Sequence, residues 1–311
     1  QAEDGIRDVE RSRGLGDVYK RQKQMNVKIF CTIARDLYLE ANFKIRPDIK
    51  KALIKAQNKE QVKLAKEALD AILENARLAY RNKVAICQDT GYPVFFIKAG
   101  KTFLKHLFEI QRELIKGIKD ATIEGFLRSS IVKDPLRRDK VSPNIPPVMH
   151  VESWDKNECE ITLLVKGFGS ENKSRLCLLN PNTKREEIAD IVAKHIKEVG
   201  SSACPPYIIG IGIGGTADLA MKLAKRSLLR PLNEDHNDER IRELEREIAE
   251  MVNSTGIGPM GLGGKFTCLG VRMDFASTHT ATLPVAINFQ CWAARRSYAL
   301  IEKDGVRRVL P

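Results

Sequence analysis

Apolar residues recur along this chain at two spacings, one typical of helices and one typical of strands. From Pro47 onward they return every three or four positions, which predicts a helical N-terminal part with Pro47 at a first helical position. Similar stripes predict helices over residues 103–128, 184–200, 216–229 and 241–251, and a closing helix after Cys291. Short β-rich runs predict strands over residues 84–86, 94–97, 148–153, 160–165, 207–209, 265–274 and 284–290.

This alternation predicts a mixed α/β fold, in which the helical N-terminal part packs with a β-sheet region. The chain shows no internal repeat and no sharp change of composition. Residues 1–24 have little hydrophobic periodicity, and Ala2-Glu-Asp-Gly-Ile-Arg-Asp8 looks like translated sequencing-adapter read-through. We therefore expect residues 1–24 to be a non-native leader and residues 25–311 to form one catalytic domain.

Three of the seven cysteines stand beside predicted strands, next to residues that favour turns. They occur in Val84-Ala-Ile-Cys-Gln-Asp-Thr-Gly91, in Ser201-Ser-Ala-Cys-Pro-Pro206 and in Val285-Ala-Ile-Asn-Phe-Gln-Cys-Trp292. Loops gather side chains from distant parts of a chain, and thiolates suit a metal ion or an iron–sulfur cluster. Buried, inert thiols are the alternative, and the local context leaves both open. The other cysteines (Cys31, Cys159, Cys177 and Cys268) lie in apolar or alternating segments typical of structural thiols.

Composition narrows the function classes. The 311 residues contain 43% hydrophobic and 30% charged residues, and no apolar run approaches the length of a membrane span, so no membrane crossing is expected. Seven widely spaced cysteines argue against a disulfide scaffold and for a reducing, cytoplasmic compartment. The net charge of +12 is spread along the chain rather than gathered into one arm, which argues against nucleic-acid binding.

A glycine run, Gly210-Ile-Gly-Ile-Gly-Gly215, satisfies the dinucleotide-binding pattern between a predicted strand and a predicted helix. The acidic partner of that pattern should end a second strand, whereas Glu234 and Asp235 lie in a polar loop between helices. We therefore expect these glycines to allow close backbone approach at a helix N-terminus, where N–H groups can face an anion or a cluster. A nicotinamide-dependent oxidoreductase remains the less favoured alternative.

Five separated motifs, in order, resemble the α-type catalytic region of iron–sulfur hydro-lyases, the class I fumarate hydratases and the L-tartrate dehydratase α subunits. The resemblance covers essentially Met25 to the C-terminus. The motifs are Cys87-Gln-Asp-Thr-Gly91, Lys166-Gly-Phe-Gly-Ser-Glu-Asn172, Ser202-Ala-Cys-Pro-Pro206, Gly210-Ile-Gly-Ile-Gly-Gly-Thr-Ala-Asp218 and Ser277-Thr-His-Thr-Ala-Thr-Leu-Pro-Val-Ala286.

The resemblance implies that Cys87, Cys204 and Cys291 ligate a 4Fe-4S cluster and leave one iron without a protein ligand. An open iron acts as a Lewis acid on a substrate hydroxyl and carboxylate, and a fourth cysteine would block it. The alternative for the same three thiols, with His279 as the fourth ligand, is a nonenzymatic structural zinc module.

The same resemblance assigns the remaining site residues. It places Gln88 and Asp89 at the substrate, with Asp89 as the acid/base participant, and it implies that Arg128 grips a substrate carboxylate. His279 matches a histidine that reaches the substrate, within the chain or across a subunit boundary, and Gly169 matches a backbone contact.

One departure concerns the glycines after Lys166, where Phe168 replaces the middle one of three. A bulky side chain there is expected to narrow the pocket, which affects substrate choice more than catalysis.

The resemblance also implies a partner. Single-chain class I fumarate hydratases carry a second region that supplies further cations, and this chain ends at Pro311. We therefore expect an α subunit that needs a separate β subunit, in an α2β2 assembly, and that acts on a small dicarboxylate. Fumarate is the favoured substrate and L-tartrate the alternative.

Overall fold

The computed structural model of the chain describes residues 25–302 and 307–308, so the predicted leader over residues 1–24 lies outside the described residues. The helices are α1 (Ile29–Phe43), α2 (Pro47–Lys59), α3 (Lys63–Asn82), α4 (Lys101–Leu104), α5 (Leu107–Glu124), α6 (Phe168–Glu171), α7 (Arg185–Val199), α8 (Ala217–Ser227) and α9 (Glu239–Asn253), with a 3₁₀ turn at Pro259–Gly261. Among these helices, none combines the length and apolar character that a membrane crossing needs.

The strands form two main sheets and one short hairpin. They are β1 (Tyr92–Ala99), β2 (Ile131–Val132), β3 (Val141–Ser142), β4 (Val148–Ser153), β5 (Cys159–Lys166), β6 (Arg175–Leu179), β7 (Tyr207–Ile213), β8 (Cys268–Phe275), β9 (Leu283–Gln290), β10 (Arg296–Ile301) and β11 (Arg307–Arg308). The predicted mixed α/β class is confirmed.

The first sheet has the order β11-β10-β5-β1-β4, with β1 parallel to β4 and antiparallel to β5. Its central strands β1 and β5 are almost continuously buried. The helices α1 and α5 cover one face, where their apolar stripes and the sheet enclose a core that includes Phe30, Phe95, Phe103 and Leu163. The predicted strands over residues 148–153 and 160–165 both lie in this sheet.

The second sheet has the order β6-β9-β7-β8, with β7 parallel to β8 and antiparallel to β9. The stripes of α7 and α9 pack on one face around Tyr207, Ile209 and Phe289. On the other face α8 lies very close to β7. A Cβ atom on Gly210 would lie 2.1 Å from the Ala224 carbonyl oxygen, and one on Gly212 would lie 2.1 Å from that of Ala220.

The glycine run therefore serves helix–strand packing. Gly214 and Gly215 follow with φ of 87° and 71°, a turn that a side chain would strain. This turn lies at the C-terminal end of β7, whereas Cys204 lies before its N-terminal end. The expected close backbone approach is confirmed, and an anion or cluster facing the helix N-terminus stays a prediction. Glu234 and Asp235 lie in the loop between α8 and α9, which removes the acidic partner of a dinucleotide site.

The predicted helical lead-in is interrupted between α2 and α3 by Glu60, which is 5% exposed. Its carboxylate accepts hydrogen bonds from the backbone N–H groups of Gln61 at 2.9 Å, Val62 at 3.0 Å and Lys265 at 2.8 Å. The two helices then pack on a third apolar cluster, which includes Ile86, Trp292, Ala293 and Ala294 from the loops that carry predicted ligands.

Two predicted elements are wrong. Residues 84–86 do not form a strand, because the Ile86 N–H donates to the Asn42 carbonyl at 2.9 Å and its carbonyl accepts from the Asn75 side chain at 2.9 Å. The closing helix is instead the strand β10, whose residues alternate between partly exposed and buried and pair with β5. The elements that were not predicted include the N-terminal helix α1, the short helix α6, the hairpin strands β2 and β3, and the strands β6 and β11.

Asp48, at the start of α2, forms a buried ion pair with Arg46. Arg46 donates to it at 2.9 Å, the Leu232 N–H donates at 2.9 Å, and both charged side chains are under one tenth exposed. Burial alone would raise the pKa of Asp48, but the hydrogen bond and the charge of Arg46 outweigh it and lower the pKa below its ordinary value. We expect Asp48→Asn to reduce the free energy of unfolding by about 3 kcal/mol at pH 7, measured by urea denaturation.

Because the folded pKa is depressed, this contribution is present above the ordinary carboxyl pKa and is lost as the pH falls through the folded value. The difference between the two proteins should therefore shrink below about pH 4. Glu74→Gln is the control, since its ion pair with Arg77 lies at the surface and its removal should change nothing measurable. A full-sized difference that persists at pH 2 would contradict the assignment.

Candidate active site

Two of the three predicted ligands lie together at one end of the second sheet. Cys204 occupies a turn between α7 and β7, where its N–H donates to the Ser201 carbonyl at 2.9 Å and its φ is 56°. Cys291 directly follows β9, and Ile208 pairs with Gln290, which brings the two loops side by side. The Trp292 N–H donates to the Cys204 carbonyl at 3.3 Å and joins them directly.

Cys87 completes the group. All three thiols are partly buried and pack against the third apolar cluster. Burial raises the pKa of the Cys204 thiol, and the neighbouring Cys291 and Cys87 raise it further, so Cys204 lies within electrostatic reach of both. In contrast, Cys159 and Cys268 are buried in the two sheet cores, where burial raises the pKa of each to about 12.

A single zinc ion and an iron–sulfur cluster place different demands on three thiols. Among residues 25–302, no three His, Cys, Asp or Glu side chains converge closely enough to hold one metal ion. A structural zinc needs four ligands at about 2.0–2.3 Å from a single ion. In an iron–sulfur cluster each cysteine binds a different iron, so the sulfurs stand further apart. The two kinds of centre therefore differ in the thiol spacing that they require.

Asp89 is fixed by hydrogen bonds on both carboxylate oxygens. Oδ1 accepts from the Gly91 N–H at 3.0 Å, and Oδ2 accepts from the Phe168 N–H at 2.7 Å. The buried Arg295 donates to the Asp89 carbonyl at 2.6 Å and to the Asn42 side chain at 3.0 Å. The backbone and the carboxylate are thus both oriented. Gln88, between Cys87 and Asp89, is exposed.

The glycines after Lys166 bring this segment to the same place. A Cβ atom on Gly167 would lie 3.0 Å from Arg295 Nη2 and 3.4 Å from Asp89 Oδ2. One on Gly169 would lie 3.6 Å from the Ser202 carbonyl oxygen, in the turn before Cys204. The structure therefore gathers the first three motifs around one point.

Phe168 packs against Tyr92, and its effect on substrate choice stays a prediction. Its ring is 45% exposed and lies against Tyr92, with the ring centroids 6.2 Å apart. Tyr92 donates in turn to the Pro146 carbonyl at 2.9 Å. The side chain is directed toward Tyr92, while the Phe168 N–H is the group that meets Asp89.

Arg128 lies in a loop that is fastened to the Cys87 segment. Its carbonyl accepts hydrogen bonds from Thr90 Oγ1 at 2.9 Å and from Asn144 Nδ2 at 2.9 Å, and Thr90 and Asn144 are both buried. The guanidinium itself is exposed. The Thr90 hydrogen bond therefore ties the exposed residue Arg128 to the segment that carries Cys87 and Asp89.

His279 is the one predicted residue that the structure leaves apart. It is exposed in the loop between β8 and β9, where its Nδ1 accepts from the Ala281 N–H at 3.1 Å. This loop lies at the C-terminal ends of β7 and β8, whereas the thiols lie at the other end of the sheet. At about 3.3 Å per residue, the length of β7 separates them by roughly 20 Å.

Two buried cations were not among the predicted site residues. Lys166 ends β5 and is 1% exposed, and Arg295 follows Cys291 and is 2% exposed. The sequence carries a signal for Lys166, because it directly follows the mainly apolar run Ile161–Val165. A lysine that is buried with such a run needs polar partners. Arg295 carries no such local signal, since its partners Asn42 and Asp89 are distant in sequence.

Comparison with known proteins decides the family. The model of a family described as fumarate hydratase (Fumerase) matches residues 32–299. The chain belongs to the fumarate hydratase family. This membership confirms the family and the hydro-lyase class predicted from the five motifs.

Individual relatives of the family fall into two groups by length. A Methanocaldococcus jannaschii protein, provisionally named L(+)-tartrate dehydratase subunit alpha, is 44% identical over 87% of this chain and 96% of its own length. The L(+)-tartrate dehydratase subunit alpha of Escherichia coli K12 is 29% identical over 91% of the chain and 94% of its own length. A provisionally named class I fumarate hydratase of Geobacillus stearothermophilus is 34% identical over 84% of the chain but only 52% of its own length.

Proposed function

We propose that this chain is the α-type subunit of a hydro-lyase that adds water to, or removes it from, a small dicarboxylate. The observation that carries the proposal is the proximity of Cys204 to both Cys87 and Cys291, beside Asp89 and the Lys166–Gly169 segment, in a member of the fumarate hydratase family. Residues 25–311 are proposed to act as one catalytic domain, since the family match spans 32–299.

We infer that Cys87, Cys204 and Cys291 hold a 4Fe-4S cluster. The donor set fits, because it consists of three adjacent thiols, partly buried against apolar side chains, while the other cysteines lie elsewhere. When bound, such a cluster supplies a Lewis-acidic iron without a protein ligand. Because thiols must lose their protons to bind it, loading releases protons.

The chain's own groups supply the remaining chemistry. Asp89 is proposed to move the proton on the substrate carbon, since its carboxylate is held in place by two backbone amides and lies beside Cys87. Arg128 is proposed to bind a substrate carboxylate with its exposed guanidinium, and Gln88 and the Gly169 backbone complete the contacts.

His279 is proposed to act in the site of a second copy of the chain. Its place at the far end of the second sheet prevents it from reaching the thiols of its own chain, whereas an exposed loop can enter a neighbour's site. An isologous pair of subunits would then exchange their histidines reciprocally.

Two substrates are candidates. L(+)-Tartrate is the first to test, because the relatives whose whole length this chain matches carry tartrate dehydratase names. Fumarate is the second, because the matching family and the longer Geobacillus relative carry fumarate hydratase names.

A separate β subunit is proposed, since the full-length relatives are named as α subunits, and an α2β2 assembly would combine it with the exchanged histidines.

The hairpin of residues 126–142 supports a partner next to Arg128. Phe126 is 95% exposed with φ of 50°, and Leu136 is 91% exposed, so the hairpin presents unpartnered apolar side chains. It is also basic, with five cationic and two anionic side chains: Arg128, Lys133, Arg137, Arg138, Lys140, Asp134 and Asp139. An acidic face of the β subunit fits this hairpin.

We expect Phe126→Ser to weaken association with the β subunit about tenfold, because a large exposed anchor beside a charged rim is lost. Binding of purified α and β chains by calorimetry measures this. Phe108→Ser, which removes a 74% exposed ring from α5, is the matched control and should bind normally. Equal weakening by both variants would contradict the assignment of the hairpin.

We infer that the protein works in a reducing, cytoplasmic compartment. All seven cysteines are free thiols, which supports this inference.

The test of the function is an anaerobic assay of the reconstituted chain with its β partner on L(+)-tartrate, fumarate, malate and mesaconate. Brown colour with iron and sulfide bound, and turnover of at least one acid, are the expected results. Cys204→Ser should lose both colour and turnover. A colourless protein that binds zinc stoichiometrically would overturn the proposal.

A further inference from the structure

Lys166 links the two main sheets directly behind the Cys291 loop. It is the last residue of β5, yet its ammonium group reaches the end of β9 and is 1% exposed. There it donates to Asn288 Oδ1 at 3.0 Å, to Gln290 Oε1 at 3.4 Å and to the Phe289 carbonyl. These three acceptors are the residues that immediately precede Cys291.

The acceptors are themselves fully held. Asn288 donates to Glu171 at 3.0 Å and to Ser174 at 2.8 Å. Gln290 donates to the carbonyls of Val165 and Arg295 at 3.4 and 3.2 Å. The Lys166 ammonium therefore stands at the centre of a closed network in which each donor has an acceptor, and the strand end before Cys291 has little freedom.

The charge of this network is not balanced within it. Glu171 is its one carboxylate, at 3.5 Å from Lys166 and 2.6 Å from Lys225, so two cations share one anion. Burial is the main cause that lowers the pKa of Lys166 to about 8. The charge of Glu171 raises this pKa, the charge of Lys225 lowers it, and Cys291 raises it. A buried cation is costly unless it is paired, and an anion at position 291 completes the pairing.

We propose that Lys166 is a positioning residue for Cys291: its ammonium clamps residues 288–290, aims the thiolate, and favours negative charge at that corner of the site. The proposal rests on the cluster inferred under the proposed function. Lys166 does not touch the substrate; it acts through the ligand.

The test uses the purified chain, reconstituted anaerobically with ferrous iron and sulfide. Lys166→Met removes charge and hydrogen bonds at similar length, and Lys166→Gln keeps a donor without the charge. Lys225→Met is the control, because it removes the other cation on Glu171 without touching residues 288–290. Circular dichroism and thermal melting check folding, while iron and sulfide content, the rate of cluster loss to a chelator, and the midpoint potential are measured.

Lys166→Met is expected to lose the cluster about tenfold faster than the wild-type chain, as for a group that orients a metal ligand. Lys166→Gln should retain the cluster better than Lys166→Met, yet both should have a lower midpoint potential, because a nearby cation favours the more reduced, more negative cluster. Lys225→Met should resemble the wild type in its rate of loss.

A folded Lys166→Met with wild-type loss rate and potential overturns this proposal alone. If Lys166→Met does not fold, a Lys166→Gln variant with unchanged potential overturns it. A wild-type chain that binds iron and sulfide in no fixed ratio to protein overturns the proposed cofactor as well. The two failures are therefore distinguishable.

Discussion

Asp89→Asn is expected to lower kcat by about 10²–10⁴, with little change in KM or cluster content. The reason is that an amide keeps the shape of the carboxylate and one acceptor for the Gly91 or Phe168 N–H, but it cannot exchange the substrate proton. Steady-state kinetics of the α and β chains together, on the substrate identified by the panel, measures the effect.

Asp238→Asn is the matched control. Asp238 likewise accepts a backbone hydrogen bond, from the Arg240 N–H at 2.9 Å, but it caps α9 far from the thiols. It should leave kcat unchanged. If Asp89→Asn turns over at the wild-type rate, Asp89 is not the acid/base residue. If it loses cluster and folding together, its role is to hold the Gly91 and Phe168 amides.

His279→Asn should reduce activity about 10²-fold, and the same loss should be partly reversible by mixing. If each site takes Asp89 from one copy and His279 from the other, a dimer of one Asp89→Asn chain and one His279→Asn chain holds one fully intact site. Coexpression of the two inactive chains with the β subunit should then restore about a quarter of the wild-type activity when pairing is random.

Two measurements provide the baseline. The Asp89→Asn and His279→Asn proteins are assayed separately, and they are also assayed immediately after the purified proteins are mixed, before subunits exchange. Restored activity that rises with incubation time would support exchange of histidines between copies. Coexpressed chains no more active than the parents would place His279 and Asp89 in the same copy, contrary to the geometry of the second sheet.

Local signals predicted those parts of the fold where neighbouring residues decide the structure. The strands β4 and β5 and the helices α7 and α8 carry clear periodicity and strong ends, and their bounds differ from prediction by a few residues at most. The segment after Cys291 failed because its alternation is short, and pairing with β5 decides it. Residues 84–86 failed because Asn42 and Asn75, which hold the Ile86 backbone, lie on helices.

The candidate site divides in the same way. The cysteine loops could be found from turn residues and family motifs, because each predicted ligand has its own local context. The place of His279 could not, since it depends on which end of β7 a loop reaches. Lys166 and Arg295 escaped for a related reason: their partners are more than a hundred residues away, and only the packed sheets bring them together.

The separation of the thiols from His279 by one strand gives β7 a second role. Within the chain, β7 pairs with β8 and β9 and packs against α8. If His279 acts in a neighbouring copy, as proposed, the length of β7 also sets the distance between two sites, and removing two residues would shorten it by about 7 Å. Insertions and deletions in β7, β8 and β9 are then constrained by the dimensions of the assembly, even where a single subunit would tolerate them.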